Sequence, residues 1–175
     1  PHFFGADLTW RRRVVPREHY PSFYQAAQAH QKAGDFSVFY LVSQAAAQEI
    51  AAASPHARIV VMLRDPMTMI PSLHRQALKT GDEIALDLTD AMAREADRAA
   101  GHGDIDWQNP GVMEMLYYSQ IARYAEQLQR YIDVFGRDAV HIVLFEDFAA
   151  DPLREVQAIQ AHIGVDPAFQ PVIER

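Results

Sequence analysis

Cysteine is absent from the chain, which excludes both a disulfide framework and a thiolate metal site. No apolar run approaches the roughly 20 residues needed to cross a bilayer, and no signal-peptide pattern opens the sequence. A soluble, cytoplasmic protein with no membrane partner is therefore expected. Several catalytic signatures are missing as well. There is no Gly-x-Ser-x-Gly elbow for a hydrolase, no His/Asp/Glu cluster at metal-ligand spacing, and no Gly-x-x-x-x-Gly-Lys-Ser/Thr phosphate loop. Basic excess is lacking too: 16 Lys and Arg stand against 23 Asp and Glu, for a net charge of −7. Phosphate backbones reward the opposite balance, so nucleic acid is not expected as a partner.

What is present is enough for one domain over residues 1–175, since 49% of the residues are hydrophobic and a chain of this length can bury a core. The most informative stretch is Ile59-Val60-Val61-Met62-Leu63 followed by Arg64-Asp65-Pro66. Five uninterrupted apolar residues suit a strand covered on both faces, as in a parallel sheet flanked by helices. Asp65 suits a helix cap and Pro66 its first turn, which leaves Arg64 at the strand's carboxyl end. Open α/β sheets bind ligands at that end. Ser72 lies eight residues after Arg64, so a helix over 66–78 lets the pair share one phosphate. Pro71 inside that helix predicts either a kink or a later start.

Elsewhere the pattern is mostly helical. Helices are predicted over 17–32, from Ser43 to about 53, over 86–100, as one long amphipathic segment over 112–135, and over 152–162 after Asp151-Pro152. An extended piece is expected over 36–41 and a second strand over 140–145. About 75 residues separate the two strands, so their connection is expected to be parallel and right-handed.

Several of these strings carry a resemblance. Ser37-Val38-Phe39-Tyr40-Leu41, Arg58 through Pro66, Ser72-Leu73-His74 with Gln76, and Leu144-Phe145-Glu146-Asp147-Phe148 with Asp151-Pro152 resemble the bacterial members of the sulfotransferase superfamily. The resemblance implies an α/β, helix-rich, three-layer fold like that of the P-loop NTPases, with a central parallel sheet between helices. It implies sulfuryl transfer from 3′-phosphoadenosine 5′-phosphosulfate (PAPS) to a hydroxyl or amine of a carbohydrate or small molecule, with no metal. It assigns the nucleotide's 3′-phosphate to Arg64 and Ser72. One departure is plain: the 5′-phosphosulfate loop of the family does not occur in the chain, and the resemblance places it, with its strand, upstream of Pro1. The alternative is a non-catalytic nucleotide-binding or protein-interaction domain derived from that fold. A nucleoside kinase is a weaker third reading.

Two residues are candidates for the base that deprotonates the acceptor. Asp35 stands two residues before the serine of the Ser-x-x-Tyr element, where some relatives carry a carboxylate, and plain turn chemistry after Gly34 is its other reading. His2 opens a His-Phe-Phe string that in relatives faces the acceptor. His74 either approaches the nucleotide or packs in the core. Arg11-Arg12-Arg13 either draws in an anionic acceptor, such as an acidic glycan, or is a solvated face. Trp107 either stacks on a ligand or anchors its loop, and Glu146-Asp147 is expected to be structural.

Overall fold

A computed structural model describes residues 3–8, 16–102 and 113–171. In chain order its elements are α1 (Ala46–Ala53), β1 (Ile59–Leu63), α2 (Pro66–Thr80), α3 (Leu88–Ala93), α4 (Glu95–Ala99), α5 (Tyr118–Ile121), α6 (Tyr124–Phe135), β2 (Val140–Leu144), α7 (Phe145–Ala150) and α8 (Pro152–Ile163). The result is helix-rich α/β. Among the described residues, no helix is long and apolar enough to cross a membrane.

β-branched side chains dominate both strands, as suits a pleated surface. They pair in parallel, with Ile59 opposite Val140 and Leu63 opposite Leu144. One face of the pair packs Val61, Leu63 and Val140 against Ala47 of α1 and Tyr131 of α6, with Leu128, Ile132 and Phe135 around them. On the other face α8 lies against β2, where the rings of His141 and His162 sit 5.2 Å apart and nearly parallel. The expectation that β1 is covered on both faces is corrected here. Val60 is 39% and Met62 49% exposed, so the described residues leave this face of β1 partly open.

Three helical expectations and one extended one are also corrected. The segment 17–32 forms a 3-10 helix only over Arg17–Tyr24, with Pro21 inside it, and continues as turns. Residues 38–42 form turns rather than an extended piece. The segment 86–100 divides into α3 and α4 at Arg94. The long helix over 112–135 is broken in two places: a 3-10 turn at Met113–Leu116, then α5, then α6. The Gln127 side chain makes the second break tolerable. Its amide donates to the carbonyls of Gln120 (2.7 Å) and Ile121 (3.3 Å), at the end of α5 where the regular ladder of helical bonds stops.

α2 is fixed by a polar core. Glu83 is 3% and Arg98 1% exposed, and their side chains pair bidentately at 2.8 Å and 2.8 Å. The Glu83 carboxylate also accepts from the Tyr118 hydroxyl (3.0 Å) and from the amides of Ile84 and Ala85. Burial drives this carboxyl upward, but the Arg98, Ala85 and Tyr118 donors outweigh it and hold it below the usual carboxylate range. His74 of α2 bonds the Ala85 carbonyl at 2.8 Å and meets the Tyr118 ring edge-on.

Removing one partner strands the other as a buried charge. Glu83→Met or Arg98→Met alone is expected to lower stability by about 3 to 5 kcal/mol, whereas the double substitution recovers much of that loss. Denaturant unfolding of the four proteins checks this. A double variant whose loss equals the sum of the singles would show that the two charges do not depend on each other.

Candidate functional site

The carboxyl end of β1 is built as its local chemistry requires. Asp65 caps α2, its Oδ1 accepting from the Met67 amide at 3.0 Å, and Pro66 occupies the first helical position. The Asp65 amide donates to Glu146 Oε1 (3.2 Å), which ties the ends of β1 and β2 together. Arg64 is half-buried between them. Its Nε donates to Thr68 Oγ1 at 3.1 Å, and its guanidinium carbon lies 5.1 Å from the centre of the Phe145 ring. The hydroxyl of Thr68 donates in turn to the Asp65 carbonyl at 3.0 Å.

α2 runs unbroken through Pro71 to Thr80, so the later start considered from the sequence does not occur. Ser72 is half-buried. It lies seven residues past the cap, which at helical geometry is about 10 Å along the axis and within about 20° of the same face. No hydrogen bond joins Ser72 to Arg64 among the described residues. The two belong to one strand-turn-helix unit that is open at its mouth.

The second candidate region is aromatic. Asp35 Oδ2 accepts from the hydroxyls of Tyr20 (2.7 Å) and Tyr40 (2.9 Å), while its Oδ1 is buried without a partner among the described residues. Tyr40 is the hub: its oxygen also accepts from the amides of Phe3 (2.8 Å) and Phe4 (3.2 Å). Burial, and after it the Asp35 carboxylate, push the Tyr40 phenol up to about 12 against the opposing Phe4 amide. Burial raises Tyr20 too, with Tyr24 and Asp35 adding to it. The rings of Phe3 and Tyr20 stack with centroids 3.9 Å apart.

The rest of the 3–8 segment is strapped to α1. Glu49 accepts from the amides of Gly5 (2.7 Å) and Ala6 (3.1 Å), and Asp7 accepts from the Ser43 hydroxyl (2.5 Å) and the Gln44 amide (2.7 Å). Burial works to raise the Asp7 carboxyl, but these donors hold it low. The strap needs glycine at position 5, where φ is +83° and a Cβ would come within 2.6 Å of Leu8 Cδ1.

α6 measures the separation of the two regions. The Tyr124 hydroxyl donates to the Arg64 carbonyl (3.1 Å) and the Tyr131 hydroxyl to the Tyr40 carbonyl (2.7 Å). Seven residues put these tyrosines on one face of the helix, about 10 Å apart along its axis. The donors and acceptors at the two ends thus sit on one rigid support. A recess of about 180 Å³ lies elsewhere, between Asp7, Val42, Tyr117 and Gln120.

Among the sequence candidates, Arg64 and Ser72 share the β1–α2 unit and Asp35 sits in the aromatic cluster. His74 points into the polar core. Glu146 and Asp147 fall in the first turn of α7. His2, Arg11 to Arg13 and Trp107 lie outside the described residues, although Phe3, the residue after His2, is bonded to Tyr40. Sequence reasoning missed Thr68 and Phe145. Thr68 carries a signal, its i,i+4 spacing from Arg64; Phe145 lies in the Leu144–Phe148 string, but nothing in that string ties it to Arg64, 81 residues earlier. Among the described residues, no group of three His, Cys, Asp or Glu is placed to hold a metal ion.

Comparison with known proteins gives a consistent result. The profile of the sulfotransferase family matches residues 1–171. Heparan sulfate glucosamine 3-O-sulfotransferase 3B1 of Mus musculus is 25% identical over 94% of this chain and 38% of its own length. Heparan sulfate glucosamine 3-O-sulfotransferase 3A1 of Homo sapiens is 26% identical over 94% of this chain and 36% of its own length. The crystal structure of a sulfotransferase from Alicyclobacillus acidocaldarius superposes with a TM-score of 0.79 at 31% identity, covering 93% of this chain and 62% of that one. The chain thus spans somewhat over a third of these curated relatives and about six-tenths of the solved structure.

The hub role of Tyr40 has a measurable consequence. Tyr40→Phe takes their acceptor from the Phe3 and Phe4 amides and leaves Asp35 Oδ2 with Tyr20 alone, and is expected to lower stability by about 1 to 3 kcal/mol. Thermal unfolding reads the loss, and hydrogen exchange at Phe4 should quicken more than at Val61. Equal exchange at both sites in the variant and the parent would remove Tyr40 from this role.

Proposed function

Because this chain belongs to the sulfotransferase family, we propose that it holds the donor nucleotide of an enzyme that moves a sulfuryl group from PAPS to a hydroxyl or amine. The acceptor class proposed is a carbohydrate or small molecule, and the fold proposed is the three-layer, P-loop-like arrangement of which β1, β2 and their helices are a part. One observation carries the reading. Arg64 stands at the carboxyl end of a parallel strand with Nε engaged by Thr68 and, among the described residues, no hydrogen-bond partner on its terminal nitrogens, and the Ser72 hydroxyl follows on the helix that the strand feeds. A guanidinium so placed presents paired donors to a phosphate.

In the reaction, the acceptor oxygen attacks sulfur in line, the bond from sulfur to the 5′-phosphate oxygen breaks, and 3′-phosphoadenosine 5′-phosphate departs. Charge spreads over the equatorial oxygens, so positioning and electrostatics supply most of the catalysis, as in phosphoryl transfer. Arg64 and Ser72 hold the 3′-phosphate. The 5′ end needs backbone amides on glycines and a cation, and no such loop occurs in these 175 residues. The acceptor's proton goes to His2 or Asp35. Of these, Asp35 has one oxygen engaged by two hydroxyls and the other enclosed, an arrangement that favours a supporting role for it and the proton for His2.

Calorimetric titration of 3′-phosphoadenosine 5′-phosphate into the intact protein and into Arg64→Ala tests the donor site. A charge-assisted bond is worth about 1.5 to 3 kcal/mol, so the variant is expected to bind about ten- to 150-fold more weakly. No binding by the unaltered protein would end the sulfotransferase reading. The base is tested separately: His2→Gln should abolish transfer at unchanged nucleotide affinity, whereas Asp35→Asn should lower it only in part. The reverse order would make Asp35 the base.

A further inference from the structure

We propose that Phe145, with Thr68, is a positioning residue for Arg64, so that the anion site draws on both strands rather than on β1 alone. The inference rests on the donor-site reading above and extends it to a residue whose contact with Arg64 no sequence spacing marks.

An arginine at a strand end is long and has several rotatable bonds. Left in solvent, it would lose that freedom on meeting a phosphate. Here three contacts settle it before any anion arrives. The backbone carbonyl of Arg64 is held by the Tyr124 hydroxyl at 3.1 Å. Its Nε donates to Thr68 Oγ1 at 3.1 Å, and that hydroxyl is itself oriented by the Asp65 carbonyl. Its guanidinium carbon lies 5.1 Å from the Phe145 ring centre, inside the roughly 6 Å within which an aromatic face attracts a cation.

The division of labour among the guanidinium nitrogens gives the arrangement its sense. Thr68 takes Nε, the nitrogen nearest the chain. Phe145 attracts the cation through its ring and needs no hydrogen-bond donor, so both terminal nitrogens remain available for an anion. A carboxylate in place of Phe145 would hold Arg64 as firmly but would take those donors and neutralise the charge. Phe145 is 39% exposed, which is unusual treatment for a ring whose only task is to fill a core. Its position is itself fixed, because the next residue, Glu146, accepts from the Asp65 amide at 3.2 Å. The start of α7 therefore reaches across to the start of α2 twice.

The experiment is a double-mutant cycle read by calorimetry with 3′-phosphoadenosine 5′-phosphate, using the intact protein, Phe145→Leu, Arg64→Ala and the pair. Leucine keeps the apolar bulk and removes the aromatic face. Phe145→Leu is expected to weaken binding by about two- to thirty-fold, the range that a cation–aromatic contact supports, and Phe145→Tyr to restore it. In the Arg64→Ala background the leucine substitution should have no further effect. Adenosine 5′-phosphate, which lacks the 3′-phosphate, should bind the unaltered protein and Phe145→Leu equally. Unchanged affinity in Phe145→Leu, or a loss that persists without Arg64, overturns the positioning role and leaves the donor site standing. Failure of the unaltered protein to bind 3′-phosphoadenosine 5′-phosphate overturns both.

Discussion

Two tyrosine hydroxyls on one face of α6 set the geometry on which the rest depends. Tyr124 holds the Arg64 carbonyl and Tyr131 the Tyr40 carbonyl, so a helix of fixed rise determines how far the Arg64 end lies from the aromatic end. The same face of α6 packs the inner side of β1 and β2. Burial and hydrogen bonding therefore reinforce one arrangement. A strand end that carries a cation is in itself a weak feature, and a site needs its distance from a second group controlled to better than about 1 Å.

A second constraint acts from the far side of α2. The Glu83–Arg98 pair is taken wholly out of water, a placement that gains little net stability over an apolar pair but tolerates few alternative packings. It locks the 83–85 turn, and that turn holds His74, two residues beyond Ser72. The mouth of α2 is thus fixed by Asp65, Glu146 and Tyr124, and its body by a buried ion pair. Between those two anchors the helix carries Pro71 without breaking, even though proline removes one of its backbone bonds.

Where structure is written in neighbouring residues, the sequence was readable. The apolar run of β1, the Asp-Pro start of α2, and the Asp151-Pro152 cap of α8, whose Oδ1 accepts from the Arg154 amide, are local chemistry and appear where they were expected. The placement of Arg64 and Ser72 in one strand-helix unit follows from the same local rules. The long helix over 112–135 was not readable in its breaks, because an apolar stripe continues across them while the compensation comes from Gln127, whose role shows only after folding. Nor was the exposure of Val60 and Met62, which depends on what packs on that face after folding. Phe145 approaches Arg64 only because β1 and β2 pair in register, a relation between residues 81 positions apart. The Asp35 cluster lay between these extremes: its Ser-x-x-Tyr spacing was visible, but the convergence of Tyr20, Tyr40 and the Phe3 amide on it was not.

The most direct test of this arrangement is a crystal structure of the protein with 3′-phosphoadenosine 5′-phosphate bound. The 3′-phosphate is expected within hydrogen-bonding distance of the terminal nitrogens of Arg64 and the hydroxyl of Ser72. A nucleotide seated in the recess beside Asp7 and Tyr117, or with its 3′-phosphate away from Arg64, would contradict the account at its centre.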